Sequence, residues 1–338
     1  MNDNFLKLTE EDQQLAYRDA ALNLKTEAVI LEKDFWVSWL LGLLFTLPEL
    51  APHLVFKGGT SLSKVFGVID RFSEDIDLCL VPSFVGADAV GFDALSSRAK
   101  RDAAVMEMQA LCGIKANEVL MPVLEAAIRQ VLGSGNWLRM ELDADAKSPI
   151  VYFAYPCGQA RGFEYLKREV KLELGTLTDQ QPTGSYPIKP LIADAYPALF
   201  ESWACSVTAL ELERTFWEKA TILHAEFHRP AASPTPSRYA RHYFDMAKLL
   251  MHPKAMQFLA DKAQCARVVD WKSRVFARSW ARYDLALPGS FRLLPAAERQ
   301  ADLAQDYATM RPMFMTEPPS FAELMQKLAQ AERVLNNL

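Results

Sequence analysis

The stretch KGGTSLSKVFGVIDRFSEDIDL, residues 57–78, decides the fold of this chain. The residues HLVFK at 53–57 favour a short strand, and Gly58-Gly59 ends that strand. Thr60 is then placed to cap a short helix. A second strand is predicted over 75–81, DIDLCLV, where acidic and apolar residues alternate before the run becomes fully apolar. The expected order is therefore strand, glycine turn, helix and acidic strand.

Two aspartates lie two positions apart on the second predicted strand. Asp75 and Asp77 point to the same side, because side chains alternate along a strand. Two like charges held this close are unfavourable unless a cation neutralises them, and Mg²⁺ prefers carboxylate oxygens together with phosphate. We therefore predict a site for Mg²⁺ or Mn²⁺ that assists in-line displacement at phosphorus. Glu173, on the polar face of a later predicted strand, is the best third carboxylate and would help remove the proton from an attacking hydroxyl.

The glycine turn has the features of a phosphate-binding turn. Gly58 and Gly59 let the backbone approach a polyphosphate closely, and the amides at the start of the helix can donate to it together with the hydroxyls of Thr60 and Ser61. Ser73 is more typical of a cap at the start of a strand, although its hydroxyl can also reach a phosphate. A polyphosphate is the expected ligand of this turn.

Outside this stretch the chain divides into a mixed part and a helical part. The almost wholly apolar helix pattern over 28–47 is expected to be core. Beyond about residue 178 a Pro- and Gly-rich connection leads into mainly helical patterns. We predict an α+β fold, a mixed sheet flanked by helices, with domains at 1–178 and 179–338. The supporting patterns are helices at 92–112, 116–133, 211–227, 238–251, 254–276 and 319–336, and strands at 137–143, 149–155 and 168–175.

Composition indicates an ordered protein without a dedicated nucleic-acid coat. Half of the residues are hydrophobic, the formal net charge is −5 and the pI is about 5.7. The five cysteines form no C-x-x-C pair, so neither a zinc site nor a disulfide framework is expected. His224 and His228 have a zinc-binding spacing but no evident third ligand, and we interpret them as surface or packing residues. The absence of a signal-peptide pattern and of a membrane-spanning run predicts a cytoplasmic protein.

The 57–78 stretch resembles the first motif of the AbiEii-type nucleotidyltransferase toxins, relatives of the MenT-type toxins in the DNA polymerase β-like nucleotidyltransferase superfamily. The superfamily pattern maps onto Gly58, Gly59, Asp75 and Asp77. The resemblance spans about residues 28–250 and implies a nucleotidyltransferase fold with a C-terminal helical domain. Further similar segments are LEKDFWV at 31–37, VKLEL at 170–174, LERTFWEKATILH at 212–224 and RYARHYFDMAKL at 238–249.

The resemblance also assigns residues in the helical half. Lys219 is expected to offset triphosphate charge, and Arg238 or Arg241 to contact phosphate. Asp245 is expected to orient one of these cations or to act as a further acid/base group. The alternatives are a solvated helix face at Glu218-Lys219 and a surface ion pair between Arg241 and Asp245. Trp217 is expected in the core, with stacking on a base as the alternative.

The resemblance implies an enzyme that transfers a nucleoside monophosphate from an NTP to RNA, at the 3′ end of tRNA. It further implies the toxin of a toxin–antitoxin or phage-defence system, with an antitoxin as partner. Given the acidic net charge, RNA contacts are expected on a basic face that includes Lys167, Arg168, Lys171 and the helix at 238–241. The alternatives are a protein or small-molecule acceptor, transfer of the γ-phosphate, and a non-catalytic GTP-binding module.

Overall fold

The computed structural model describes residues 4–87, 92, 94–158 and 167–337. The chain forms two compact units. The first comprises the residues up to Val65 together with Phe72–Leu210, and the second comprises Phe66–Arg71 together with the chain from Glu211 onward. A short segment of the 57–78 stretch therefore belongs to the second unit.

Within the described residues, the first unit is built on a mixed sheet of seven strands in the order β3-β4-β5-β2-β1-β7-β6. β2 runs parallel to β5, and β1 runs parallel to β7, while the other neighbours are antiparallel. The prediction of a mixed sheet is confirmed, and the strands that carry the predicted carboxylates lie near its centre. The strands are β1 (Leu54–Lys57), β2 (Ile76–Leu80), β3 (Leu138–Leu142), β4 (Pro149–Phe153), β5 (Val170–Gly175), β6 (Thr183–Pro187) and β7 (Ser206–Leu210).

Helices flank this sheet within the first unit. The second helix of the chain is buried over nearly its whole length, which confirms the predicted core helix. Its rings pack against the sheet, as between Trp39 and Phe153, whose centroids are 5.7 Å apart. The helices are α1 (Glu10–Leu24), α2 (Ala28–Leu44), α3 (Gly58–Lys64), α4 (Pro82–Val85), α5 (Arg98–Lys115) and α6 (Met121–Leu132), with a π-helical turn at Ala116–Leu120 between the last two.

The sheet continues past the predicted boundary at residue 178. β6 and β7 both follow that position, so the first compact unit extends to Leu210. The strand β6 was not predicted, because TGSYP contains Gly and Pro and lies at the edge of the sheet, where apolar alternation is weak. A division into two separately folding domains stays a prediction.

The second unit is mainly helical. The predicted helix at 254–276 is divided at Asp261, whose carboxylate accepts a hydrogen bond from the Gln264 amide at 2.9 Å and caps a new helix. The helix at Gln300–Thr309 was not predicted. No helix in the described ranges has the length and apolar character needed to cross a membrane. The helices are α7 (Leu212–Phe227), α8 (Ala240–Met251), α9 (Ala255–Ala260), α10 (Lys262–Val275), α11 (Gln300–Thr309) and α12 (Phe321–Asn336).

Candidate active site

The glycine turn is as tight as a strand-to-helix connection can be. β1 ends at Lys57 and α3 begins at Gly58, which has a φ of +81°. A Cβ atom at Gly58 would lie 1.9 Å from Oδ2 of Asp77, well inside van der Waals contact. Only glycine satisfies both the left-handed backbone and this close approach. The turn therefore lies directly against one of the predicted metal ligands.

The predicted carboxylates lie on neighbouring strands. Asp77 of β2 is directly opposite Glu173 of β5 in the parallel register. Asp75 lies one residue before β2 instead of inside it, but its spacing of two from Asp77 keeps both on one face. The structure thus brings Asp75, Asp77 and Glu173 to the same face of the sheet, next to the glycine turn.

The surroundings of Asp75 disfavour its ionised carboxylate. Burial raises the pKa of Asp75 to about 6, and the charges of Glu74, Glu173 and Asp77 act in the same direction, while Lys171 opposes them. The raised pKa indicates that burial and the neighbouring acids together outweigh the opposing charge of Lys171.

The carboxylates do not converge on one point. Over the part of the chain that the structure describes, no three His, Cys, Asp or Glu side chains are grouped so that they could hold a metal ion. Glu173 is instead paired with the ammonium of Lys171. The chemistry of the donors, hard carboxylate oxygens in a field that favours cations, nevertheless fits Mg²⁺ or Mn²⁺.

The hydroxyls of the turn are engaged within the protein. Thr60 and Ser61 are fully buried. Thr60 hydrogen-bonds to the Ser73 hydroxyl at 2.9 Å and to the Asp75 carbonyl, and Ser61 donates to the Gly58 carbonyl at 2.9 Å. The two Thr60 bonds tie α3 to the segment that leads into β2, whereas the Ser61 bond stays within α3. The predicted phosphate contacts of Thr60, Ser61 and Ser73 therefore require an exchange of partners.

Three consecutive charged residues of α2, Glu32-Lys33-Asp34, are buried beneath this site. Lys33 pairs with Glu74, next to Asp75, and donates to the Lys167 carbonyl at 2.7 Å. The flanking acids hold other segments of the first unit. Asp34 accepts from the Leu191 amide at 2.6 Å and pairs with Lys64 of α3, and Glu32 accepts from the Gly158 amide at 2.9 Å. Sequence reasoning assigned this helix to the core; the charged triplet in an apolar helix was the available signal for a positioning role.

In the second unit, Lys219 and Asp245 are in direct contact. The Lys219 ammonium donates to Oδ2 of Asp245 at 2.7 Å. Arg71 donates to the same carboxylate through Nε at 2.7 Å and Nη2 at 2.8 Å. Burial alone would raise the pKa of Asp245, but the charges of Arg71 and Lys219 hold it well below its usual range. Asp245 is therefore ionised and bonded to both cations, and its role in orienting them stays a prediction. The alternative of a surface pair with Arg241 is wrong, because Asp245 is fully buried.

Positive charge exceeds negative charge around Lys219. Burial lowers the pKa of Lys219, and the charges of Arg71 and Arg241 lower it further. The charge of Asp245 acts in the opposite direction and raises it. The ammonium also lies 3.4 Å from Nδ1 of His242, whose pKa is lowered well below its usual value by burial and by Lys219. His242 is neutral and was not predicted; its only signal was its place next to Arg241 in the 238–249 segment. Asp245 bonds to Arg71 and Lys219, and Arg241 adds a further positive charge near Lys219. This arrangement suits an anionic ligand.

The interpretation of Glu218-Lys219 as a solvated face is wrong. Lys219 is 7% exposed. The Glu218 carboxylate pairs with Arg214 at 2.6 Å and Lys272 at 3.0 Å. Although burial opposes the change, these two cations lower the pKa of Glu218 to about 2. This network anchors the turn of α7 that carries Lys219.

The two predicted phosphate-binding arginines differ in their placement. Arg241 is half-buried near Lys219, whereas Arg238 is exposed and has a φ of +58°. Asp306 holds this turn because its carboxylate accepts from the Arg238 amide and the Ala240 amide, both at 2.7 Å. Phosphate contacts by Arg238 and Arg241 stay predictions.

The Pro- and Ser-rich loop between α7 and α8 is held by Arg299. Its guanidinium donates to the carbonyls of Pro230 at 2.7 Å and Ser233 at 2.9 Å, and to the Thr235 hydroxyl at 3.0 Å. Together with Asp306, this contact shows that the chain beyond residue 250 shapes the 238–249 segment.

Two further interpretations from the sequence are confirmed. His224 is fully buried, and its ring nitrogens bond to the Arg292 amide at 3.1 Å and the Arg282 carbonyl at 2.9 Å, so it packs and does not present a ligand atom. Trp217 is 1% exposed and packs against Phe291, which excludes stacking on a base in this arrangement.

Comparison with known proteins supplies the family. MenT4, a nucleotidyltransferase toxin from Mycobacterium tuberculosis H37Rv, is similar in structure, with a TM-score of 0.48 and 17% identity over 98% of this chain and 90% of that one. Among curated proteins, none matches the sequence. The family model for the nucleotidyl transferase AbiEii toxin of type IV toxin–antitoxin systems matches residues 40–329. That range begins after the similar segment at 31–37 and extends well past residue 250, where the resemblance drawn from motifs ended. The chain belongs to the AbiEii nucleotidyltransferase toxin family, and its activity is that of a nucleotidyltransferase.

Proposed function

We propose that this chain uses Mg²⁺ or Mn²⁺, held by Asp75, Asp77 and Glu173, to transfer a nucleoside monophosphate from an NTP to a hydroxyl of RNA, at the 3′ end of tRNA. The observation that carries the metal-dependent step is the placement of these carboxylates. Asp77 is opposite Glu173, Asp75 lies two residues before Asp77, and Gly58 touches Asp77.

The reaction is a displacement at the α-phosphorus of the NTP. The oxygen of the acceptor hydroxyl forms a bond to this phosphorus, the bond to the bridging oxygen of the β-phosphate breaks, and pyrophosphate leaves. A bound divalent ion supplies Lewis acidity to the phosphate oxygens. In this proposal Glu173 receives the hydroxyl proton, and the turn at Gly58-Gly59 lets the backbone lie close to the phosphates.

Lys219 neutralises the charge of the triphosphate in this proposal. Its ammonium is held by the ionised Asp245, whose position is set in turn by two hydrogen bonds from Arg71. Arg71 and Asp245 are thus positioning residues for Lys219. The surplus of positive charge in this cluster supports a polyphosphate ligand. Arg241 and Arg238 are further phosphate-binding candidates.

The choice of RNA as acceptor rests on the family to which the chain belongs. Lys167 and Arg168 are exposed and remain candidates for the basic face. Lys171 fits this role less well because its ammonium is paired with Glu173. We further propose that the protein acts in the cytoplasm, where NTPs and tRNA are present, and that an antitoxin partner controls it.

Transfer from an α-labelled NTP to total RNA tests the proposal. Wild-type protein should label RNA when Mg²⁺ is present, and Asp75→Ala or Asp77→Ala should abolish labelling. Asp270→Ala removes an exposed carboxylate on α10 and serves as the matched control with unchanged labelling. Transfer that persists in the Asp75 and Asp77 variants, or that is unaffected by a chelator, overturns the site assignment.

The acceptor is resolved by offering purified tRNA, protein extract and small hydroxyl compounds separately. The proposal requires that tRNA becomes labelled. It also requires that this label is lost when the 3′-terminal nucleotides of the tRNA are removed. Label on protein or on a small molecule alone would overturn the RNA acceptor while leaving the nucleotidyltransferase chemistry intact. Label that follows a γ-labelled NTP would indicate a kinase-like reaction instead.

A further inference from the structure

Two lysines share the carboxylate face of the sheet, Lys57 opposite Asp77 in the β1–β2 register and Lys171 two residues before Glu173. The register pairs Ile76 with Leu172 and Asp77 with Glu173, so Lys171 of β5 lies beside Asp75 on the shared face. Side chains of residues 171 and 173 alternate with buried apolar neighbours and point away from the core. Lys171 therefore stands among the three predicted metal ligands.

The ammonium of Lys171 already serves two of these carboxylates. It forms an ion pair with Oε1 of Glu173 and interacts with the charge of Asp75. Its charge therefore offsets the negative charge of both carboxylates.

This pairing explains the divergence of the carboxylates. Glu173 is directly opposite Asp77 along the backbone, yet its side chain is directed to Lys171. Neither partner is locked in place, because the side chains of Lys171 and Glu173 are 29% and 42% exposed. An ion pair with this exposure is weak enough to exchange with a divalent ion.

We propose that Lys171 is an internal cation that occupies Glu173 until a divalent ion displaces it, and that it thereby sets the metal affinity of the site. This inference rests on the proposed function, since it takes Asp75, Asp77 and Glu173 as the metal ligands. The exchange forms and breaks no covalent bond. The Lys171 ammonium turns towards solvent, Glu173 becomes available to the ion, and one positive charge is replaced by two on the same face.

The consequence is a threshold for metal. Without the lysine, the carboxylates repel each other more strongly, and a divalent ion binds without first breaking an ion pair. With the lysine present, binding of the ion must first break the Lys171–Glu173 ion pair. Lys171→Met should therefore tighten divalent-ion binding, whereas Lys171→Arg, which keeps a cation within reach of Glu173, should leave it close to wild type.

Arg139 offers a matched control on the same sheet. It lies on β3, carries the same charge, and pairs with Glu169 at 3.0 Å and Glu141 at 3.2 Å instead of with Glu173. Arg139→Met removes one positive charge without releasing a predicted metal ligand. It separates the local exchange from the general effect of a more negative surface.

The experiment is a titration of the full chain with Mn²⁺, in which free Mn²⁺ is followed by its paramagnetic resonance signal in the absence of NTP. We expect the dissociation constant to fall about two- to fivefold in Lys171→Met and to change less than twofold in Arg139→Met. The Mn²⁺-induced rise in melting temperature should be larger in Lys171→Met than in wild type, as an independent readout.

The outcomes separate the two proposals. Wild-type protein that binds no Mn²⁺, or binds it equally well after Asp75→Asn, overturns the metal site of the proposed function. Wild-type protein that binds Mn²⁺ through Asp75, with Lys171→Met binding no more tightly, overturns the role of Lys171 alone. Equal tightening in Lys171→Met and Arg139→Met also overturns that role, because it reduces the effect to net charge.

Discussion

Gly58→Ala adds one methyl group at the point where the glycine turn touches Asp77. The φ of +81° at Gly58 places alanine in the left-handed region, which costs about 1 kcal/mol of stability. The new Cβ would also lie 1.9 Å from Oδ2 of Asp77, whereas real Cβ contacts essentially never fall below 3.0 Å. The Asp77 carboxylate must therefore move by about 1.1 Å, the difference between these two distances.

The displacement converts into an expected loss of activity. A misplacement of about 1 Å at a reacting centre lowers the rate on the order of 100-fold. Gly86 supplies the control, because its φ is +79° and nothing lies within 4 Å of the position that its Cβ would take. Gly86→Ala introduces the same left-handed backbone penalty as Gly58→Ala but no steric clash. Both variants should lose about 1 kcal/mol or slightly more in free energy of unfolding, and only Gly58→Ala should lose transfer activity.

The assay is the single-turnover rate of monophosphate transfer at saturating NTP and metal, together with urea unfolding of each variant. Gly58→Ala should transfer about 100 times more slowly than Gly86→Ala at similar stability. If the two variants transferred at rates within about threefold of each other, the position of the Asp77 carboxylate against the turn would have no part in the chemistry.

Two more predictions concern the charged groups of each unit. Since the pKa of Asp75 is about 6, protons compete with a divalent ion below that pH, and Mn²⁺ affinity should fall about tenfold from about pH 7 to about pH 5. Asp75→Asn should remove this pH dependence, and a flat wild-type profile would contradict the raised pKa. Asp245→Asn should cost about 3–5 kcal/mol in urea unfolding, because it leaves Arg71 and Lys219 buried without a carboxylate. Asp270→Asn, at an exposed pair, should cost under about 0.5 kcal/mol; equal losses would refute the buried cluster.

Local patterns predicted the centre of the first unit well. The 57–78 stretch carries its own turn chemistry in Gly58-Gly59, and the alternation in VKLEL of β5 places Glu173 on the polar face. The burial of α2, which ends at Leu44 instead of residue 47, followed from its composition. These features depend on neighbours a few residues apart, so a sequence read alone contains them. The strand β6 was missed because an edge strand with Gly and Pro lacks that alternation.

The sequence by itself determined the glycine turn, the spacing of Asp75 and Asp77, and the candidate third carboxylate Glu173. Tertiary structure alone decided which charges meet: Arg71 bonds to Asp245, 174 positions later. It also decided that Lys171 forms an ion pair with Glu173. The physical reason is that periodicity records which face a side chain occupies, whereas an ion pair depends on where folding brings two distant faces together. A buried carboxylate pairs with the cations that packing places next to it, and no local sequence pattern encodes that pairing.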